Sequence, residues 1–182
     1  MNLRKAVFLD RDGTIIEDME FSVDVSELRP LPGALDALRR LQQAGFLLVI
    51  VTNQSGVARG LFDEASLRKF HEHLLGLLRH EGIEVRGIYY CPHYTEGSLK
   101  RYAKACGCRK PAPGMLLQAA KEHGIDLSQS WMVGDRPCDT EAGRGAGCRT
   151  IRISAGDEDD DPCADFQAAD LQTVAEMILV QG

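Results

Sequence analysis

Two aspartates lie close together after the first apolar stretch of the chain. Asp10 and Asp12 follow the run Ala6–Leu9, which is typical of a buried strand, and Gly13 bounds them. Alternation along an extended chain sends both carboxylates to the same side, where they repel each other unless a cation lies between them. Mg2+ prefers oxygen ligands of this kind, together with substrate phosphate. The pair therefore indicates metal-assisted phosphoryl transfer, although Asp-Gly is also ordinary turn chemistry.

The composition limits the classes of partner. The chain has 182 residues, 44% hydrophobic and 26% charged, which suits a single domain spanning residues 1–182. A net charge of −6 argues against nucleic-acid binding, which needs basic surfaces. The first strand begins without a preceding apolar leader, and no stretch approaches the length of a membrane span. We therefore expect a cytoplasmic, monomeric protein that binds neither membrane nor nucleic acid.

Apolar runs and helical patterns alternate along the chain. This alternation predicts an α/β fold, a Rossmann-like parallel sheet with helices on both faces. An acidic run at 157–161 is expected to form a solvated loop. The predicted strands cover 6–9, 46–51, 85–90, 131–135 and 150–153, and the predicted helices cover 34–44, 64–81, 113–123, 140–146 and 170–179.

Polar side chains follow three of the predicted strands. Ligands of parallel sheets bind beyond the carboxyl ends of the strands, so these groups are expected to converge. Each one alone has an ordinary explanation as a strand-end cap or a turn residue, but their recurrence at successive strand ends favours function. The pair Arg109–Lys110 is expected to open a helix between the second and third of these strand ends. The strand-end groups are Asp10 with Asp12, Thr52 with Asn53, and Asp135.

These groups supply the parts that phosphoryl transfer needs. Asp10 can attack phosphorus and form an aspartyl-phosphate, and Asp12 can move the protons. Asp135 can complete a Mg2+ site with Asp10. The hydroxyl of Thr52 and the ammonium of Lys110 can hold phosphate oxygens in the transition state.

The loop 91–108 carries three of the six cysteines of the chain. Cys91, His93, Cys106 and Cys108 form two paired half-sites, and three thiolates with one imidazole make the tetrahedral set that zinc favours. Four protein ligands leave no open position, so a structural zinc that staples the loop is expected. The alternative is unrelated thiols and a surface histidine. The three other cysteines (Cys138, Cys148 and Cys163) and the four other histidines are expected to be ordinary core or surface residues.

The chemistry-bearing motifs resemble the four signatures of the haloacid-dehalogenase (HAD) superfamily over essentially the whole chain. The resemblance implies a Mg2+-dependent phosphatase in which Asp10 is the nucleophile and Asp12 the acid and base. Thr52 and Lys110 would then stabilise the phosphoryl group, and Asp10, the backbone carbonyl of Asp12, and Asp135 would hold Mg2+. The matching segments are Asp10-x-Asp12-Gly13-Thr14, Thr52-Asn53, Lys110-Pro111, and Gly134-Asp135 with Asp139.

The zinc loop and its neighbours narrow the resemblance to one branch of that superfamily. Residues 52–60, 87–93 and 108–115 are similar to phosphatases that remove the 7-phosphate of D-glycero-D-manno-heptose 1,7-bisphosphate, a step in making nucleotide-activated heptose for lipopolysaccharide. Histidinol-phosphate phosphatase shares the zinc loop and first motif and stays the alternative. The non-enzymatic alternative is a metal-binding interaction module on an inactive phosphatase fold. By resemblance, the phosphorylated sugar would contact Asp18, Asn53, Gln54, Ser55, Arg109 and Arg136.

The spacing of the motifs leaves no room for a cap domain. Only one helix and one strand fit between Asp12 and Thr52, and only a helix, a strand and the zinc loop fit between Thr52 and Lys110. An open site with the zinc loop in its wall is expected. One segment departs from the heptose branch, which often carries an Asp-His-Gly-Tyr-like sequence. Asp18 fits that sequence, whereas residues 19–21 do not, so the anomer preference stays open.

Overall fold

One parallel sheet organises residues 3–154 and 161–181, which are the residues described by the computed structural model. Its strand order is β3-β2-β1-β4-β5-β6, and every neighbouring pair is parallel. The predicted α/β fold is confirmed. The strands are β1 (Ala6–Leu9), β2 (Leu47–Asn53), β3 (Val85–Cys91), β4 (Trp131–Gly134), β5 (Arg149–Ile153) and β6 (Phe166–Ala168).

Helices cover both faces of this sheet. Because side chains alternate along a strand, Val7 and Leu9 of β1 join one apolar cluster, whereas Ala6 and Phe8 join the other. The first cluster packs under α1, α3 and α6, and the second packs under α4 and α5. The helices are α1 (Ala34–Gln43), α2 (Gly56–Arg59), α3 (Glu64–His80), α4 (Gly114–His123), α5 (Pro137–Ala146) and α6 (Leu171–Gln181).

Several boundaries differ from the sequence predictions. Helix α5 begins three residues early because Pro137 suits the first helical turn and the carboxylate of Asp139 accepts the backbone N–H of Arg136 (3.0 Å). The pair Arg109–Lys110 lies before α4 in a turn and does not open that helix. Strand β6 and the short helix α2 were not predicted, since three and four residues are too few to show a period.

The predicted acidic loop lies outside the described residues except for its last residue. Asp161 is only 7% exposed and accepts a hydrogen bond from Thr140 Oγ1, so the prediction of a solvated side chain is wrong there. No cap domain lies over the strand ends within residues 13–51, which hold a short 3-10 turn (Val25–Glu27), α1 and most of β2. None of the helices in the described parts of the chain combines the length and apolar character needed to cross a membrane.

Candidate active site

The catalytic candidates meet at the carboxyl ends of the three central strands. Asp10 follows β1, Thr52 lies near the end of β2, and Asp135 follows β4. They are neighbours because β1 pairs with both β2 and β4, and the Asp10 N–H continues the ladder to Val133 O (2.9 Å). A cavity of about 720 Å³ opens here. The predicted site residues that line it are Asp10, Asp12, Asp18, Thr52, Asn53, Gln54, Ser55, Arg109, Lys110 and Arg136.

Lys110 joins the nucleophile candidate to a second buried carboxylate. Its Nζ lies 2.7 Å from Asp10 Oδ1, 2.6 Å from Asp139 Oδ1 and 2.7 Å from Val51 O. Burial alone would lower the pKa of Lys110, but the carboxylates of Asp10 and Asp139 outweigh burial and raise it, so the ammonium stays charged. The Asn53 side chain fixes the Lys110 backbone by two hydrogen bonds of 3.0 Å. A charged donor is therefore held beside the predicted attacking oxygen.

The acidic groups around Asp10 fit a divalent cation. Asp10, Asp135 and Asp139 each offer an oxygen within 4.8 Å of the others. Asp135 Oδ1 is buried without a hydrogen-bond partner among the described residues, and burial together with Asp10 raises the pKa of Asp135. Gly13, at φ +70°, brings its backbone so near that a Cβ would clash with the Asp135 carboxylate. A Mg2+ ion would relieve both the orphaned oxygen and the repulsion between carboxylates.

Asp12 is held from two sides. Arg11 Nη2 lies 2.9 Å from each of its carboxylate oxygens, and Gln54 Nε2 donates to Oδ2 (2.9 Å). Gln54 also donates to Thr52 Oγ1 (2.9 Å), so its amide joins two of the predicted catalytic side chains. Burial raises the pKa of Asp12 and outweighs the opposing charge of Arg11. A carboxyl group with a raised pKa is suited to carry a proton for catalysis.

The four predicted zinc ligands converge at the end of β3 and in the loop that follows it. The sulfur atoms of Cys91, Cys106 and Cys108 lie 3.1–3.4 Å apart, and His93 Nδ1 lies 3.5 Å from Cys108 Sγ and 3.7 Å from Cys91 Sγ. None of the three cysteines is in a disulfide. Burial raises the pKa of Cys91, and a bound cation would offset that by stabilising the thiolate. Three sulfurs and one imidazole nitrogen around a common point fit a closed zinc site.

The sequence and the fold are similar to those of known proteins. A family model described as HAD-hydrolase-like matches residues 107–178. The D-glycero-beta-D-manno-heptose-1,7-bisphosphate 7-phosphatase of Pasteurella multocida (strain Pm70) is 46% identical over 155 residues, covering 85% of this chain and 84% of that protein. The chain belongs to this heptose-bisphosphate phosphatase family. The family member of Escherichia coli (strain K12) is 45% identical over 137 residues, covering 75% of this chain and 72% of its own.

Solved structures agree with this family. The D,D-heptose 1,7-bisphosphate phosphatase from B. bronchiseptica, crystallised with magnesium and phosphate, matches with a TM-score of 0.81 and 35% identity, covering 98% of this chain and 99% of that one. A HAD-like phosphatase from Mesorhizobium loti matches with a TM-score of 0.87 and 34% identity, covering 99% of this chain and 88% of that one. Both likenesses cover almost the whole of this chain.

The segment that departs from the heptose-bisphosphate phosphatase branch lies at the cavity mouth. Glu20 and Phe21 have φ of +43° and +69°, in the left-handed region that favours glycine. Asp18 pairs with Arg136 (2.8 Å) across this mouth, so the structure brings these two predicted substrate contacts together.

Sequence reasoning missed three residues of the site. Arg59 lines the cavity between the rings of Phe21 and Tyr94, 5.3 and 4.3 Å from their centroids. Asp139 appeared in the fourth motif but was not assigned to the site, although its place four residues after Asp135 was a usable signal. Arg11 gave no signal, because an arginine between two aspartates is expected to point to the opposite side of the chain.

Proposed function

We propose that the protein is a Mg2+-dependent phosphatase that removes the 7-phosphate of D-glycero-beta-D-manno-heptose 1,7-bisphosphate. The observation that carries the chemistry is the contact between the Lys110 ammonium and Asp10 at a cavity edge that also holds Asp12 and Thr52. The substrate assignment rests on the family, whose relatives bear this name. The guanidinium groups of Arg59, Arg109 and Arg136 at the same cavity support a substrate that carries a second phosphate.

The chemistry has two steps. Asp10 attacks phosphorus to form an aspartyl-phosphate as the bond to the sugar oxygen breaks, and Asp12 gives that oxygen its proton. Water then attacks the aspartyl-phosphate, Asp12 takes the proton from water, and phosphate leaves. Lys110 and the Thr52 hydroxyl hold phosphate oxygens throughout. Mg2+, bound by Asp10, the Asp12 carbonyl and Asp135, would neutralise phosphate charge.

Zinc has a structural role in this proposal. It would hold the loop 91–108 as one wall of the cavity, and Arg109 Nη1 already donates to the backbone oxygen of His93 (3.2 Å) in that wall. The free thiols of the quartet support a reducing, cytoplasmic setting, where nucleotide-activated heptose for lipopolysaccharide would be made. All site residues come from one sheet edge, which supports a single domain over residues 1–182 that works as a monomer.

Phosphate release from a panel of sugar phosphates, with and without Mg2+, tests the proposal. We expect the beta anomer of the heptose bisphosphate to give the highest kcat/KM, with loss of turnover when Mg2+ is removed. Faster turnover of histidinol phosphate would favour the alternative substrate. No turnover of any phosphate ester would favour the metal-binding module. Faster turnover of the alpha anomer would keep the phosphatase and overturn the anomer assignment.

A further inference from the structure

A buried arginine stands behind the proposed acid and base. Arg11 is 1% exposed, and its Nε and Nη2 each lie 2.9–3.2 Å from both oxygens of Asp12. The ring of Phe70 supports the guanidinium from one side, 4.8 Å from its carbon. Two nitrogens on one side of the carboxylate set its direction as well as its charge balance. Neither the proposed chemistry nor the motif assignments give Arg11 a role.

His71 of α3 fixes the far edge of the same guanidinium. Its Nε2 lies 3.0 Å from Arg11 Nη1. Because a guanidinium only donates, the imidazole nitrogen must accept, which places the ring proton on Nδ1. Burial and the charge of Arg11 lower the pKa of His71 to about 3, so the ring stays the neutral acceptor that this contact needs. His71 is itself only 6% exposed.

We propose that Arg11 and His71 are positioning residues, in which His71 holds Arg11 and Arg11 aims the Asp12 carboxyl group at the leaving oxygen. The inference rests on the proposed function, because it needs Asp12 to move the proton. Among the described residues, the only other nitrogen that hydrogen-bonds to the Asp12 carboxylate is Nε2 of Gln54. Loss of the His71 contact would free one edge of the guanidinium, and His71 itself does not line the cavity.

The choice of leaving group distinguishes a misdirected Asp12 carboxyl group from general structural damage to the protein. A sugar alkoxide needs the proton from Asp12 as its bond to phosphorus breaks, whereas p-nitrophenolate leaves without one. The value of kcat/KM reports the steps up to that bond breakage and excludes the later hydrolysis of the aspartyl-phosphate. An aiming defect therefore lowers kcat/KM for an alkyl phosphate more than for p-nitrophenyl phosphate.

The test compares His71→Leu with His71→Gln, since the glutamine oxygen can accept from Arg11 and leucine cannot. Arg11→Lys is the second probe, because lysine keeps the positive charge but cannot donate from two nitrogens at once to the Asp12 carboxylate. Full-length proteins are assayed with Mg2+ on the heptose bisphosphate and on p-nitrophenyl phosphate. We expect His71→Leu and Arg11→Lys to lower kcat/KM about 10- to 100-fold for the sugar and less than about threefold for the aryl ester. His71→Gln should stay within about threefold of wild type on both.

Two results would overturn the inference. One is an equal loss on both substrates, which would mean structural damage; the other is no loss on either. Failure of the proposed substrate is visible separately, in the wild-type protein. If the wild-type protein hydrolyses another alkyl phosphate and not the heptose bisphosphate, the substrate assignment is wrong. The variants are then compared on that alkyl phosphate, and the same two results decide on the positioning role.

Discussion

The ammonium of Lys110 lies 2.7 Å from Oδ1 of Asp10, and both side chains are almost fully buried, at 1% and 9% exposure. The two residues are 100 positions apart, so only the fold brings them together. Charge is poorly screened at such burial, and the carboxylate of Asp10 helps to keep the Lys110 ammonium charged. The contact holds a cation where a phosphoryl group on Asp10 would need one.

Removal of this cation should destabilise the protein through the carboxylates it leaves behind. Lys110→Met is expected to cost about 3–5 kcal/mol of unfolding free energy, because Asp10 and Asp139 lose their partner. The double variant Lys110→Met/Asp139→Asn should recover part of that stability but no activity. Urea unfolding and phosphate release measure the two effects. If the stability losses of the single variants Lys110→Met and Asp139→Asn add up to that of the double variant, Lys110 and Asp139 do not interact energetically.

The catalytic and zinc sites should respond separately to substitution. Asp10→Asn removes the proposed attacking carboxylate, so turnover should fall on the order of 10³-fold or more. The proposed zinc ligands lie at the end of β3 (Cys91) and in the loop that follows it (His93, Cys106 and Cys108), so the zinc content of the variant should equal that of wild type. Metal analysis of the purified proteins checks this. Loss of zinc from Asp10→Asn would contradict two independent sites.

Loss of zinc should weaken substrate binding more than it slows the chemistry. Cys106→Ser breaks the quartet and releases the wall that carries Tyr94 and Arg109, whereas Asp10 stays at its strand end. We expect KM for the heptose bisphosphate to rise about tenfold or more while kcat changes less. Cys163→Ser, outside the quartet, is the matched control and should keep wild-type kinetics. A fall in kcat with KM unchanged would argue against this role of the wall.

The close approach of Gly13 to Asp135 should matter for Mg2+. Gly13→Ala places a methyl group against the Asp135 carboxylate, and its φ of +70° adds backbone strain. Gly45→Ala is a matched control, because Gly45 has φ +86° and no atom lies within 4 Å of the point that its added Cβ would occupy. Gly45→Ala should lose about 1–2 kcal/mol of stability from strain alone, and Gly13→Ala should lose at least as much. Only Gly13→Ala should need about tenfold more Mg2+ for half-maximal activity; an equal need in both variants would contradict this.

His71 should make stability fall at mildly acidic pH. Its pKa is lowered to about 3 by burial and by Arg11, below that of the unfolded chain. A lowered pKa contributes stability above the unfolded value of about 6.5 that is lost as pH falls, about 2 kcal/mol by pH 5. His71→Gln does not titrate, so its unfolding free energy should drop less between pH 7 and pH 5 by that amount. If urea unfolding shows the same drop in unfolding free energy between pH 7 and pH 5 for His71→Gln and wild type, the lowered pKa is contradicted.

Much of the site was readable because its residue types are local. The pair Asp10 and Asp12, the strand end at Thr52 and the spacing of Cys91 to Cys108 each lie within one stretch of chain, where period and spacing carry information. The edge strand β6 was missed because three residues show no period. The burial of Asp161 was missed because an acidic run looks solvated until a partner such as Thr140 is known to face it.

The amino-acid sequence by itself determined the α/β fold, the family and the candidate residues at the strand ends. Strand patterns and motif residues repeat at fixed spacing, and a fixed spacing gives the same geometry wherever it occurs. Only the tertiary structure decided that Lys110 contacts Asp139 as well as Asp10, and that Arg11 contacts His71, 60 residues away. Such contacts follow from how helices settle on the sheet. No local pattern encodes them, because each partner is an ordinary residue in its own segment.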